Sequence, residues 1–157
     1  MRIRLIAIGQ KMPPWVAAGW ETFAGRLPRE CALELVELPA GRRGGRKGDP
    51  IRARREEGER IAGAVADGTR VVALEVGGRS WDTPGLARRL EAWRADGRDV
   101  ALLVGGPDGL DPRCLERAEE RWSLSPLTFP HMLVRVIVAE QIYRAWSLLN
   151  NHPYHRE

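Results

Sequence analysis

The chain has 157 residues, of which 43% are hydrophobic and 29% charged, and its net charge is +4. The length fits a single domain with one core, the composition excludes wholesale disorder, and no run approaches the ~20 apolar residues that span a bilayer. Two distant cysteines, Cys31 and Cys114, exclude a disulfide framework and a cysteine-based zinc site.

Predicted strands and helices alternate along the chain. The strands are predicted at 3–9, 32–38, 71–76, 100–104 and 122–124, and the helices at 13–27, 50–66, 83–95, 112–120 and 130–149. We expect Gly77 and Gly78 to stop the third strand, and the uninterrupted apolar run 100–104 to be a central parallel strand. The pattern predicts one α/β domain over residues 1–157, a parallel sheet with helices on both faces.

The positive charge is concentrated in residues 41–60, which hold eight basic and four acidic side chains. A concentrated positive field indicates a polyanionic partner. A solvated, arginine-rich surface is the alternative interpretation. Residues 41–48 lack an apolar anchor, so we expect this basic loop to be mobile without a ligand. The N-terminus lacks a long apolar stretch and a cleavage site, so a cytoplasmic location is expected.

Glycines follow the third and fourth strands, whereas only Gly9 follows the first. This pattern argues against a Rossmann-type dinucleotide site, and no phosphate-binding P-loop motif is present. In the run 105–109, Gly105 and Gly106 allow backbone amides to approach a ligand closely, at the sheet edge where α/β proteins bind ligands. The alternative is a tight turn that needs glycine for a positive φ.

A compact loop, residues 125–130, connects the last strand to the last helix. Its backbone amides and carbonyls could bind the edge of an adenine. The alternative is a helix cap, in which Ser125 or Thr128 caps the helix and Pro130 occupies the first turn.

The last helix has one narrow polar stripe, formed by Glu140, Arg144 and Ser147 at i, i+4 and i+7, with an expected Glu–Arg pair. Nearly all its other positions are apolar, which favours burial against a second copy through a two-fold contact. Arg135 lies outside the stripe, and a buried or interfacial arginine needs an anionic partner. A structural ion pair is the alternative to a functional role.

The C-terminal tail is basic and aromatic, with His152, Tyr154, His155 and Arg156. Such side chains can stack on a base and contact phosphate, although a frayed end is the usual state of a terminus. His152 and His155 have the spacing of a metal pair, but no cysteine or carboxylate cluster completes it, so no metal site is expected.

Three blocks of the sequence resemble the ribosomal RNA large-subunit methyltransferase H family. They are Leu103–Leu110, Trp122–Arg135, and Glu140–Ser147 followed by Asn151–Arg156. The similarity extends over the whole length, and the C-terminal third is its most specific part. The basic loop 41–48 departs most from the family, because it is richer in glycine and arginine.

The resemblance implies a SPOUT-superfamily α/β fold whose C-terminal segment forms a deep trefoil knot. It also implies a homodimer that binds S-adenosylmethionine in the knot and methylates N3 of a pseudouridine in a 23S rRNA hairpin loop, with assembled ribosomes as substrate. The cofactor contacts that it implies are Leu74, Gly105, Gly106, Ser125, Pro126, Leu127, Thr128, Phe129 and Pro130.

Methyl transfer from a sulfonium is an in-line displacement that depends on positioning and requires no metal. The N3 proton must leave, so the site needs a base or a charge that stabilises the anion. We expect Arg135 to supply the electrostatic or positioning role, and His152, Tyr154, His155 and Arg156 to form an RNA-facing wall that completes the partner's site. The base stays open between a histidine and solvent. The alternatives are a related knotted methyltransferase for tRNA or another rRNA base, and a ribosome-binding factor without catalysis.

Overall fold

Strands and helices alternate along residues 1–44 and 48–156, the part of the chain that the computed structural model describes. The strands are β1 Arg2–Ile8, β2 Ala32–Leu38, β3 Arg70–Ser80, β4 Val100–Val104 and β5 Glu120–Ser123. The helices are α1 Pro14–Ala24, α2 Pro50–Ala64, α3 Thr83–Asp96, α4 Pro112–Arg117 and α5 His131–Leu149. Two 3₁₀ helices, Arg29–Cys31 and Pro153–Arg156, were not predicted. Of the loop expected to be mobile, residues 45–47 lie outside the described residues.

The five strands form one sheet in the order β2-β1-β4-β3-β5, and every neighbouring pair is parallel. Every residue of β4 is buried, and β4 lies between β1 and β3. The predicted parallel α/β sheet and the central position of residues 100–104 are therefore confirmed.

Helices cover both faces of the sheet. α1, α3 and α5 pack on one face around Trp20, Leu90 and Ile142, and α2 and α4 pack on the other around Ile61 and Cys114. The connections through α1 and α3 run towards the β2 edge of the sheet, whereas those through α2 and α4 run towards the β5 edge. Because crossovers between parallel strands are right-handed, helices of connections that run in opposite directions lie on opposite faces. The prediction of helices on both faces is confirmed.

Aspartates start three of the helices. The side chains of Asp49, Asp82 and Asp111 accept hydrogen bonds from the backbone N–H groups of Arg52, Gly85 and Arg113 at 3.0, 2.7 and 2.9 Å. A proline stands one or two positions after each aspartate and suits the first turn, where no backbone donor is required.

The third strand differs from the prediction, because Gly77 and Gly78 do not stop it. β3 continues to Ser80, and its pairing with β5 shifts register between Leu74 and Arg79, which both lie opposite Trp122. A Cβ on Gly78 would lie 2.7 Å from the Arg121 carbonyl carbon. Gly78 is therefore required for close contact with β5, and the residues between Leu74 and Arg79 bulge out of the ladder that β3 forms with β5.

The trefoil knot and the boundaries of a single domain at 1–157 stay predictions. No helix within the described ranges is long and apolar enough to cross a membrane.

Candidate functional site

A cavity of about 500 Å³ lies at the carboxyl edge of the sheet. It is bordered by the ends of β4 and β3, by β5 with its following loop, and by the first turn of α5 at His131 and Val134. The carboxyl edge is where open parallel sheets usually bind ligands. The cavity is mainly apolar, and among its described lining residues Glu75 and His131 have ionisable side chains.

The residues expected to contact the cofactor gather around this cavity. Its lining includes Leu74 from β3, Gly105 and Gly106 after β4, and Ser125, Leu127, Thr128, Phe129 and Pro130 after β5. Pro126 belongs to the same loop but does not line the cavity. Residues separated by more than 50 positions in sequence are thus brought to one place because β3, β4 and β5 are neighbours in the sheet.

The glycine loop, residues 105–109, combines a tight turn with close backbone packing. Gly109 has a φ of 80° and its N–H donates to the Gly106 carbonyl at 3.0 Å, so the turn interpretation is correct for Gly109. A Cβ on Gly105 would lie 2.7 Å from the Leu110 nitrogen, and one on Gly106 would lie 3.1 Å from Glu57 Oε1. At Gly105 and Gly106 the absence of a side chain permits close packing while the backbone stays at the cavity wall.

The loop 125–130 does not cap α5. The Ser125 hydroxyl accepts a hydrogen bond from the Leu127 N–H at 3.0 Å, within the loop itself. α5 starts at His131 with Pro130 as N-cap residue and without a side-chain cap, so the alternative of capping by Ser125 or Thr128 is wrong. Pro130 precedes the first turn rather than occupying it.

Several cavity residues were not predicted. Glu75, Val76 and Gly77 line the cavity because β3 bulges there, and Trp122 forms part of the wall. Trp122 stacks on Trp81 with ring centroids 5.2 Å apart. The glycines at 77 and 78 were the available signal, but they were interpreted as the end of the strand.

Arg135 is completely buried and has its anionic partner within the same chain. Its Nη1 donates to Glu37 Oε2 at 2.7 Å, and its Nη2 donates to the Gly9 carbonyl at 2.7 Å. Arg135 therefore joins the first half of α5 to the ends of β1 and β2. It does not line the cavity, although a Cβ on Gly9 would lie 3.5 Å from both Arg135 and the cavity residue His131.

The tail, residues 152–156, folds back on the second half of α5 rather than fraying. The His152 N–H donates to the Ser147 carbonyl at 2.9 Å, and the Tyr154 ring lies 4.7 Å from the Tyr143 ring between centroids. The Tyr154 hydroxyl donates to Glu140 Oε1 at 2.9 Å. His155 is half-buried and Arg156 is exposed.

The polar stripe of α5 holds this tail. Arg144 Nη2 lies 2.6 Å from Glu140 Oε1, which confirms the predicted pair, and the guanidinium lies 5.1 Å above the Tyr154 ring. The hydrogen bond and ion pair to Glu140 raise the pKa of Arg144. The stripe is thus a fixed platform for Tyr154.

Cavity and tail occupy opposite halves of the same helix. The cavity reaches α5 at His131 and Val134, whereas Tyr154 contacts Glu140 and Tyr143. At 1.5 Å per residue, the midpoints of the two contact regions lie about 14 Å apart along the axis, and their nearest residues, Val134 and Glu140, about 9 Å apart. One chain therefore does not bring its own tail onto its own cavity wall through these contacts.

The two cysteines are buried thiols. Burial raises the pKa of Cys31 from 9.0 to about 11 and also raises the pKa of Cys114. Neither thiol has the environment of a nucleophile, which requires a lowered pKa. Within residues 1–44 and 48–156, no group of three or more His, Cys, Asp or Glu residues is arranged to bind a metal ion.

Comparison with known proteins agrees with this architecture. Residues 1–155 match the family model described as "Predicted SPOUT methyltransferase". The chain is 65% identical over 156 residues to a protein of Alkalilimnicola ehrlichii named ribosomal RNA large subunit methyltransferase H, with 99% of each chain covered. Proteins of the same name from Marinomonas sp. and Hahella chejuensis are 58% and 55% identical, and each alignment covers 99% or more of both chains.

These matches extend over nearly the whole chain and include the strands, the glycine loop and the tail. The parallel sheet is consistent with them. The chain belongs to the ribosomal RNA large subunit methyltransferase H family of SPOUT methyltransferases.

Proposed function

We propose that the chain transfers a methyl group from S-adenosylmethionine to N3 of a pseudouridine in 23S rRNA. The substrate is the assembled ribosome, and the enzyme is a cytoplasmic homodimer that needs no metal. One observation supports this proposal most: the cavity at the carboxyl edge is lined by all the residues expected to contact the cofactor except Pro126.

The cavity fits S-adenosylmethionine in size and chemistry. Its volume of about 500 Å³ lies in the range of small-molecule sites, and its walls are mainly apolar. Leu74 and Phe129 suit an adenine ring, the backbone of Gly105 and Gly106 is accessible, and the Glu75 carboxylate suits the ammonium group or the ribose hydroxyls. Bound there, the cofactor supplies an electrophilic methyl group on a sulfonium.

Residues of the chain itself orient the pseudouridine and accept its N3 proton or position the water that accepts it. The N3 proton leaves to a histidine or to water, and His131 is a histidine on the described cavity wall. Arg135 has a positioning role in this proposal: it holds the Gly9 carbonyl and Glu37 behind the first turn of α5. Its charge is compensated by Glu37, so it acts through these contacts.

The tail supplies the RNA-facing wall, with His152, Tyr154, His155 and Arg156, and it serves the cavity of the partner subunit. The distance between tail and cavity along α5 supports this arrangement. The half-buried apolar side chains of Met132, Leu133 and Ile137 on the first half of α5 suit contact with a second copy.

A methyl-transfer assay tests the reaction. Purified protein, tritium-labelled S-adenosylmethionine and ribosomes from a strain lacking this gene should give label on a pseudouridine of 23S rRNA after digestion and chromatography. Free rRNA and separated subunits are the controls, and both should accept less label. Cofactor binding without label would favour a ribosome-binding factor, and label on another base or on tRNA would favour a related specificity.

Mixed dimers test the composite site. A tail deletion of residues 152–157 and the cavity variant Gly106→Val should each be inactive alone. After denaturation and joint refolding, half of the dimers are mixed and each has one intact site, so about a quarter of wild-type turnover should return. Absence of recovery, with both variants folded and dimeric, would mean that the tail does not complete the partner's site.

A further inference from the structure

Glu57 is a buried carboxylate at the boundary between the basic loop and the glycine loop. It lies in α2 and is only 2% exposed. Its Oε2 accepts a hydrogen bond from the Gly41 N–H at 3.3 Å. Its Oε1 is buried and accepts no hydrogen bond from the described residues, while Arg43 Nη2 lies 4.0 Å away. Since a buried charge needs compensation, Glu57 favours a position of Arg43 close to it.

The same carboxylate contacts the glycine loop. A Cβ on Gly106 would lie 3.1 Å from Glu57 Oε1 and 3.2 Å from Oε2, so the Gly106 backbone packs directly on this carboxylate. Gly106 is also part of the cavity wall. A displacement of the glycine loop therefore changes the environment of Glu57 and, through it, that of Gly41.

Arg43 makes a second connection between the two loops. Its Nε and Nη2 both donate to Asp108 Oδ2, at 3.1 and 2.5 Å. The Arg43 carbonyl accepts a hydrogen bond from the Asp49 N–H at 2.7 Å, immediately before α2. Arg43 is thus held at its backbone by the start of α2 and at its guanidinium by the glycine loop.

We propose that Glu57, Arg43 and Asp108 couple the cofactor cavity to a second rRNA-binding surface, the basic residues among 41–44 and 48–60, so that each ligand increases the affinity for the other. The proposal rests on the proposed function, because it requires a cofactor in the cavity and rRNA at these basic residues. Glu57 and Asp108 are positioning residues: neither lines the cavity, and both act through the loops that they hold.

The coupling between cofactor binding and rRNA binding is expected to be positive. A cofactor that contacts Gly105 and Gly106 orders the glycine loop, and Asp108 then holds Arg43 in one position. The conformational entropy of the start of the basic loop is thereby reduced before rRNA binds, so rRNA binding requires less ordering. Linkage makes the effect reciprocal: the ribosome must increase cofactor affinity by the same factor.

The experiment measures ribosome affinity with and without S-adenosylhomocysteine. Full-length protein is sedimented with ribosomes from a strain lacking the gene at one fixed salt concentration, because phosphate contacts are salt-dependent. Saturating S-adenosylhomocysteine should strengthen binding of the wild type by about fivefold or more, as is usual for coupled sites. Affinity for S-adenosylhomocysteine is measured separately by calorimetry, with and without ribosomes.

Two variants and one control isolate the coupling. Asp108→Asn and Glu57→Gln should bring the ratio of the two ribosome affinities close to one. Glu56→Gln is the matched control: Glu56 accepts from the Arg42 N–H at 3.0 Å and pairs with Arg52, so it holds the same loop without the contact to Gly106. It should keep the wild-type ratio. Asp108 is partly exposed, so Asp108→Asn carries the test if Glu57→Gln does not fold.

Each outcome decides the proposal. An unchanged ratio in Asp108→Asn, or a wild-type ratio of one in protein that binds S-adenosylhomocysteine and methylates ribosomes, overturns the coupling and leaves the proposed function intact. A loss of coupling in Glu56→Gln equal to that in Asp108→Asn would assign the effect to general loosening of the loop and also overturn it. A wild type without cofactor binding or methylation overturns both proposals.

Discussion

The Arg135 guanidinium lies 2.7 Å from the Glu37 carboxylate and joins α5, which borders the cavity, to the end of β2. Arg135 is completely buried, whereas the Glu37 side chain is 31% exposed. The pair therefore connects a buried charge to a group that retains access to water, and most of the desolvation affects the arginine.

Replacement of Arg135 by methionine should destabilise the protein. Arg135→Met leaves Glu37 and the Gly9 carbonyl without their donor, so we expect the free energy of unfolding to fall by about 2–3 kcal/mol, because Glu37 is partly solvated. Urea denaturation followed by tryptophan fluorescence measures this. Arg52→Met, which removes an exposed i,i+4 pair, is the control and should cost less than about 0.5 kcal/mol. Full stability combined with lost turnover would instead place Arg135 directly in catalysis.

Removal of the Tyr154 hydroxyl should loosen the tail without affecting the cavity. Tyr154→Phe keeps the ring on Tyr143 but loses the bond to Glu140, a hydrogen bond to a charged group, so turnover on ribosomes should fall about tenfold. The affinity for S-adenosylhomocysteine should not change. Glu140→Gln keeps an acceptor and should be milder. Weaker cofactor binding in Tyr154→Phe would mean that the tail contacts the cofactor itself rather than only the RNA.

Replacement by alanine should stabilise the protein at Gly63 and weaken cofactor binding at Gly106. Gly63 lies in the last turn of α2 with open space around its Cβ position, so Gly63→Ala should increase the free energy of unfolding by about 0.5 kcal/mol. Gly106→Ala would press on Glu57 at an overpacking cost of about 1–3 kcal/mol, and this cost, expressed at the cavity wall, should weaken S-adenosylhomocysteine binding about 5- to 150-fold. Thermal unfolding and calorimetry distinguish the two. An affinity of Gly106→Ala for S-adenosylhomocysteine equal to that of the wild type would show that the glycine loop is not part of the site.

The Cys31 thiol should make stability fall at alkaline pH. Burial raises its pKa from 9.0 to about 11, so the unfolded chain ionises first as the pH rises. The raised pKa stabilises the folded state fully below pH 9, and this contribution is lost between about pH 9 and 11. Urea denaturation across this range should show a smaller decline in Cys31→Ala than in the wild type. An identical decline would assign the alkaline sensitivity to other groups.

The strand and helix order could be predicted because this sheet is buried on both faces. Its strands are short apolar runs such as Val100–Val104, and prolines and aspartates mark the helix starts at Asp49, Asp82 and Asp111. The extension of β3 through Gly77 and Gly78 could not, since the reason for Gly78 is a close contact with Arg121 of another strand. A glycine required by a neighbouring strand has the same local pattern as one required by a turn.

The part of the candidate site that follows directly after predicted strands could be predicted from the sequence. Gly105, Gly106 and the loop 125–130 follow strands whose ends share one sheet edge, and the family resemblance identified them. The partner of Arg135 was not predictable, because Glu37 is 98 residues away in sequence. The carboxylate at Glu57 was also missed: on α2 it stands among charged residues that mostly face solvent, and only the packing shows that it is buried.

The stacked indoles beside the cavity provide an intrinsic fluorescence signal for ligand binding. Trp122 is on the cavity wall, Trp81 stacks on it at 5.2 Å, and Trp93 meets Trp81 edge to face at 6.4 Å. A ligand that enters the cavity changes the polarity and quenching around this cluster. Intrinsic emission should therefore report occupancy in real time and without a label, so that binding rates can be measured directly by stopped-flow mixing.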